Sequence, residues 1–119
     1  MIAETIEVLP IAEVGPLLAG HGGGPFSEGE LAYARDKSDP ERRLAARLAA
    51  KRAAARLLGP GVSESDIEVV RVPGGAPRLQ LSARALAALA KAGAGAALVS
   101  LTHGREQAAA AVLLVRAPA

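Results

Sequence analysis

Apolar and polar positions change their period repeatedly along the chain, and each change marks an element. Residues 5–11 (TIEVLPI) are β-branched and aliphatic and read as a strand, which Pro10, lacking an N–H, confines to a sheet edge or to the strand's end. Residues 12–19 suit a short helix. Ser27, with Glu30 three residues on, opens a second helix over 27–37 (SEGELAYARDK) with a capping box, and Tyr33 is expected to pack on it. The best-signalled helix spans 38–61 (SDPERRLAARLAAKRAAARLLGPG). Asp39 is placed to cap its first amides, Pro40 fits the first helical position, and Gly59 with Pro60 ends it. Leu44, Leu48, Ala55 and Leu58 recur at helical steps and form its core face, while Arg43, Arg47 and Lys51 recur every fourth residue on another stripe.

The second half returns to strand periods. Residues 67–72 (IEVVRV) and 78–81 (RLQL) form a hairpin across the turn at 73–77, and residues 97–102 (ALVSLT) and 107–115 (QAAAAVLLV) form another around 103–106. Between them residues 82–92 are a helix capped by Ser82 and stopped at Gly93, with Leu86 and Leu89 expected to face the core. There is no internal repeat. Helices alternating with antiparallel hairpins predict an α+β fold in one domain over residues 1–119. The expectation is a mainly antiparallel sheet, with helices against one face and one long central helix.

Composition narrows what such a fold can do. Of the 119 residues 50% are hydrophobic but only 2% aromatic, so the core must come from Leu, Val, Ile and Ala, each burying less area than an aromatic ring. Oligomerisation is then a plausible further source of burial. The long helix adds Arg42, Arg52 and Arg56 to its positive charge against a single acid, Glu41, although like charges four apart cost about a few tenths of a kcal/mol per pair. Two readings stay open for it: an anionic partner, or arginines solvated on an Ala-rich surface. A formal net charge of +2 and the near-absence of stacking rings argue against nucleic acid. The lack of cysteine excludes a disulfide framework and a thiolate zinc site. No apolar run approaches a membrane span, and Glu4 and Glu7 stand where a secretory leader would be basic, so a cytoplasmic location is expected.

The loop at residues 20–25 (GHGGGP) resembles an oxyanion loop of serine hydrolases, but no Gly-x-Ser-x-Gly elbow accompanies it, and its glycines lack the spacing of a phosphate loop. A flexible connector is expected there.

Four segments, in order, are similar to the holo-acyl-carrier-protein synthases, the small bacterial phosphopantetheinyl transferases. FSEGELAYA resembles that family's helix around Glu-Leu. RLAARLAAKRAAARLLGPG resembles its signature, in which Arg-x-Ala-Ala-Lys-Glu-Ala leads to a Lys and a Gly-x-Gly turn. DIEVVRVPGGAPRLQL resembles its hairpin, and VSLTHGREQAAAAV its Ser-x-Ser/Thr-His strand. The resemblance covers nearly the whole chain and implies a phosphopantetheinyl transferase-like fold. It also implies a homotrimer with sites between subunits, coenzyme A as substrate or ligand, acyl carrier protein as partner, and magnesium on the coenzyme A diphosphate.

Carried over position by position, the resemblance departs most at the metal. The family's first-strand Asp falls on Glu7, a carboxylate one methylene longer and the candidate metal ligand; the Glu of Lys-Glu falls on Arg52, which cannot bind a metal. The family's Lys falls on Arg56, and a carrier-facing Arg falls on Glu13. Arg47, Lys51, Thr102 and His103 match as they stand, and the glycine turn matches at Gly59 and Gly61. The implied roles are catalytic for Arg56, Arg52 and Glu7, and coenzyme A-binding for Arg47, Lys51, Arg56, Gly59, Gly61, Thr102 and His103. Glu7 and Arg52 are expected to pair. Either the transferase works by an altered mechanism, with Arg52 clamping the diphosphate, or the chain is a non-catalytic homologue that binds coenzyme A or a carrier protein, or a partner subunit of an active relative.

Overall fold

A computed structural model describes residues 1–116. The elements run β1 (Ala3–Pro10), α1 (Val14–Leu18), α2 (Glu28–Arg35), α3 (Pro40–Leu58), β2 (Ile67–Arg71), β3 (Pro77–Leu81), α4 (Ala83–Lys91), β4 (Ala96–His103) and β5 (Gln107–Val115), with 3-10 turns at Ile11–Glu13, His21–Gly23 and Glu64–Asp66. The α+β expectation holds, with one correction. The strands form two antiparallel sheets rather than one: three strands in the order β1-β5-β4, and the hairpin β2-β3. An apolar groove of about 480 Å³, lined by Leu79, Leu81, Leu86, Leu89 and Val99 among others, opens between β3 and β4.

Helix α3 fills the space behind the three-stranded sheet. Ala45, Ala49, Ala50, Ala53 and Ala54 on the helix and Ala108 and Ala110 on β5 are all buried, and such small side chains let a helix approach a strand closely. Leu44, Leu48 and Leu58 extend the contact, so the helix is covered on far more than one stripe. On the far face of the sheet the register aligns Ile6, Ala111 and Ser100 in one row and Val8, Ala109 and Thr102 in the next. That face is bare, with Ile6 67%, Val8 53% and Leu98 53% exposed.

Local sequence signals match the structure in most places. Ser27 caps α2 in a reciprocal box with Glu30, Ser82 caps α4, and Gly59 ends α3 at φ 104°. Asp39 is an exception: it stands at the N-cap, but its carboxylate accepts from Arg43 Nε at 3.0 Å instead of from the helix amides. Leu86 is another, lying exposed because Ala85 and Leu89, four apart, define the buried stripe of α4 and Leu86 falls about 100° away from Ala85. The glycine loop is no mere connector. A Cβ on Gly24 (φ +65°) would lie 2.7 Å from the Leu17 carbonyl oxygen, so packing requires that glycine, and Gly23 holds a φ of +81° that disfavours a side chain.

Candidate functional site

The basic residues of α3 point to three different surroundings. Lys51 is wholly buried: its ammonium donates to Glu30 Oε1 at 2.7 Å and to the Pro25 carbonyl. The Glu30 carboxylate also accepts from the Ser27 and Val69 amides, each at 2.8 Å, and Ser27 Oγ donates to Glu68. Lys51 is therefore a strut tying α2, α3 and β2 together, its ammonium almost wholly out of solvent.

One turn earlier, Arg47 is also buried, and its guanidinium lies 3.9 Å from the centroid of the Tyr33 ring. Among the described residues its Nε has no hydrogen-bond partner, and Nη1 reaches the Arg43 carbonyl at 3.4 Å. Burial lowers the Arg47 pKa, against the pull of the Tyr33 hydroxyl. Burial raises that of Tyr33 in turn, but the hydrogen bond from Arg43 and the charges of Arg47 and Arg43 outweigh it and bring the phenol below its ordinary value. Asp39 is held below the usual carboxylate value by Arg43, and His103 Nε2 lies 3.9 Å from its other oxygen.

The third group faces a cleft of about 500 Å³ at the C-terminal end of α3, between β1 and the turn into β2. Glu7, Arg52, Arg56, Gly59, Ser63 and Glu64 are among the residues that line it. Arg56 donates to both Glu7 oxygens, at 2.8 and 2.5 Å, and reaches Thr5 Oγ1 at 3.4 Å. Arg52 Nε donates to Glu64 at 3.2 Å, and its Nη1 is 3.8 Å from Glu13. The expected Glu7–Arg52 pair is thus replaced by Glu7–Arg56, because Arg52 leans the other way, to the 3-10 turn carrying Glu64. Glu64 carried no signal in the sequence beyond its place in SESD; only the fold brings it to Arg52.

The remaining candidates do not converge on this cleft. Gly61 faces a different groove, with Leu58, Arg84 and Lys91. Thr102 and His103 alternate across β4, so Thr102 shares the bare face with Val8 while His103 turns to the α3 side near Asp39. From Asp39 to Arg52 the helix rises about 20 Å, so one copy of the chain keeps His103 and the arginine cleft at opposite ends of α3.

The donor set does not fit a magnesium ion. Magnesium takes near-octahedral oxygen ligands, whereas among the described residues no three His, Asp or Glu side chains converge. The carboxylate of Glu7 faces a guanidinium, as do those of Glu13 and Glu64. The cleft can instead hold anions: two forked donors stand on one helix face, four residues apart.

The fold, with its long helix behind a three-stranded sheet, is that of the solved acyl-carrier-protein synthases. The Mycobacterium tuberculosis acyl carrier protein synthase is 31% identical, with a TM-score of 0.72 over 98% of each chain. A Bacillus anthracis holo-(acyl-carrier-protein) synthase solved in complex with CoA (3',5'-ADP) is 25% identical, with a TM-score of 0.76 over 98% of this chain and 97% of that one. The holo-[acyl-carrier-protein] synthase of Moorella thermoacetica is 41% identical over 92 residues, 75% of this chain and 72% of the relative. That of Nitratidesulfovibrio vulgaris is 47% identical over 81 residues, and the match spans 65% of each chain. The chain belongs to the holo-[acyl-carrier-protein] synthase family. No protein-family model matches it.

Proposed function

We propose that this chain, as a single domain over residues 1–119, binds coenzyme A in the Arg52–Arg56 cleft. The reaction the family implies is transfer of 4'-phosphopantetheine to a serine of acyl carrier protein. In that reaction the serine oxygen attacks the phosphorus next to pantetheine, the phosphoanhydride bond to the adenosine part breaks, 3',5'-ADP leaves, and the hydroxyl gives up its proton. The observation that carries the reading is the pair of guanidinium groups on one face of α3, which can neutralise a diphosphate through bidentate hydrogen bonds. Arg56 and Arg52 would stabilise the leaving diphosphate, and Glu7 would hold Arg56 in place. Gly59 keeps the floor of the cleft open: its φ of 104° disfavours any side chain.

A homotrimer accounts for two features that one copy leaves unused. The bare face carrying Ile6, Val8, Thr102 and Leu98 is apolar enough to be covered by another copy. A neighbour could also bring its His103 to the far end of the ligand. We place the protein in the cytoplasm, where coenzyme A and carrier proteins meet; no helix among the described residues is long and apolar enough to cross a membrane.

The second reading, a non-catalytic binder of coenzyme A or of a carrier protein, is favoured by one observation: Arg52 and the Glu7–Arg56 pair leave no carboxylate set for a cation. Mass spectrometry of apo acyl carrier protein incubated with the chain and coenzyme A separates the two. A phosphopantetheine mass gain, in EDTA as in magnesium, is the outcome expected of the transferase. Binding of coenzyme A without that gain would leave the binder; no binding at all would end both.

A further inference from the structure

The two arginines of the cleft are not free. Arg52 is held by Glu64 at 3.2 Å, with Glu13 at 3.8 Å, and Arg56 by Glu7. Formally the two lining arginines are matched by the two lining carboxylates, Glu7 and Glu64, and Glu13 beside the cleft adds one more negative charge. An incoming phosphoanhydride therefore meets no spare positive charge, and it gains full contact with a guanidinium only by displacing a carboxylate. The carboxylates differ in how easily they can leave. Glu7 extends from β1 on the sheet's inner face, its side chain only 18% exposed, and grips Arg56 with both oxygens. Glu64 is 37% exposed, sits in a short turn and makes one hydrogen bond to Arg52. The turn does not depend on it, since Asp66 supplies the carboxylate that closes the Ser63 capping box.

The geometry points to Glu64 as an internal counter-anion of Arg52: a ligand phosphate replaces it on binding, and its presence sets the affinity of the cleft. The phosphate takes the place of the Glu64 carboxylate on the Arg52 fork while Glu64 swings to solvent; no covalent bond changes. A ligand with one weak negative charge has little to gain from this exchange. One with a diphosphate recovers the lost pair and adds a second contact at Arg56, so the exchange selects phosphoanhydrides over simple carboxylates and monoanions. This inference rests on the coenzyme A reading.

The test is calorimetric titration of coenzyme A, in EDTA, into wild type, Glu64→Gln, Arg52→Ala and the double variant. Glu64→Gln keeps size and polarity but removes the charge, and since an exposed pair of this kind is weak it should tighten binding about threefold to tenfold. In the Arg52→Ala background most of that gain should vanish, because the competition needs the arginine. Glu64→Asp, which keeps the charge, should bind no tighter than wild type. Unchanged or weaker binding by Glu64→Gln, or an equal gain without Arg52, overturns the inference and leaves the coenzyme A reading standing. No binding by wild type and Glu64→Gln alike overturns both.

Discussion

Replacing Lys51 with Met tests the separation of strut from site most directly. The ammonium and the Glu30 carboxylate are 1% and 0% exposed, so the substitution fills the same space but strands a carboxylate out of water. Breaking a buried pair in this way costs about 3–5 kcal/mol. The Ser27 and Val69 amides still serve Glu30, which puts the expected loss at the low end, about 3 kcal/mol. Against a typical total of about 5–15 kcal/mol this is a large fraction. For a chain of this size it lowers Tm by about 12 °C. Urea and thermal unfolding would read it. Pairing the change with Glu30→Gln removes the stranded charge and should recover part of the loss but not all of it, because the Gln NH2 must face the Ser27 or the Val69 amide, donor to donor. A loss under about 1 kcal/mol for Lys51→Met alone, or a double variant no better than the single one, would refute the strut and return Lys51 to the ligand.

Three other outcomes are expected. Gly24→Ala forces a Cβ against the Leu17 carbonyl at positive φ and should destabilise by about 2 kcal/mol in the same assays, whereas Gly22→Ala meets no neighbouring atom and should cost less. The Ser63 amide, then the Ser82 hydroxyl, hold the Asp66 carboxyl below its ordinary 3.8. Because the folded pKa is the lower one, this contribution is full above the unfolded value and disappears as pH falls through the folded value. Wild type should therefore lose stability more steeply than Asp66→Asn on the acid side of about pH 4, and parallel curves would contradict the assignment. Ile6→Lys, on the bare face, should shift the native mass spectrum from assembly to single chains; an unchanged mass would show that this face is not the interface.

What could be read from the sequence was local. The Ser27–Glu30 box and the Gly59 stop depend on residues three or four apart, and both stand where the pattern put them. Glu30's second role was hidden, because its contacts to Lys51 and Val69 cross the fold. The stripe of Arg43, Arg47 and Lys51 looked solvated or ligand-facing for the same reason: nothing in its own spacing says that α2 and Tyr33 cover it. Alanine misleads in the other direction. It marks no face in a hydrophobic pattern, yet Ala49, Ala50, Ala53 and Ala54 are among the most buried residues of α3. The Glu7, Arg52 and Arg56 cleft was legible as a set through the family signature, but its pairing was not, since a guanidinium chooses among carboxylates by geometry that only the folded turn at Glu64 defines.

The register of the three-stranded sheet joins strands far apart in sequence: Ala3 is paired with Leu114, and the Ile2 amide donates to the Leu114 carbonyl at 2.7 Å. β1 thus waits for β5, and β4 waits for β5 as well. During synthesis α3 follows β1 and α2, on which it packs, but precedes β4 and β5, so the alanines that face β5 remain wet until that strand has been made. Closing such a long loop is entropically slow. The window in which Ile6 and Val8 stand on an unpaired strand is correspondingly long, which makes this fold sensitive to premature termination and to whatever holds nascent chains apart.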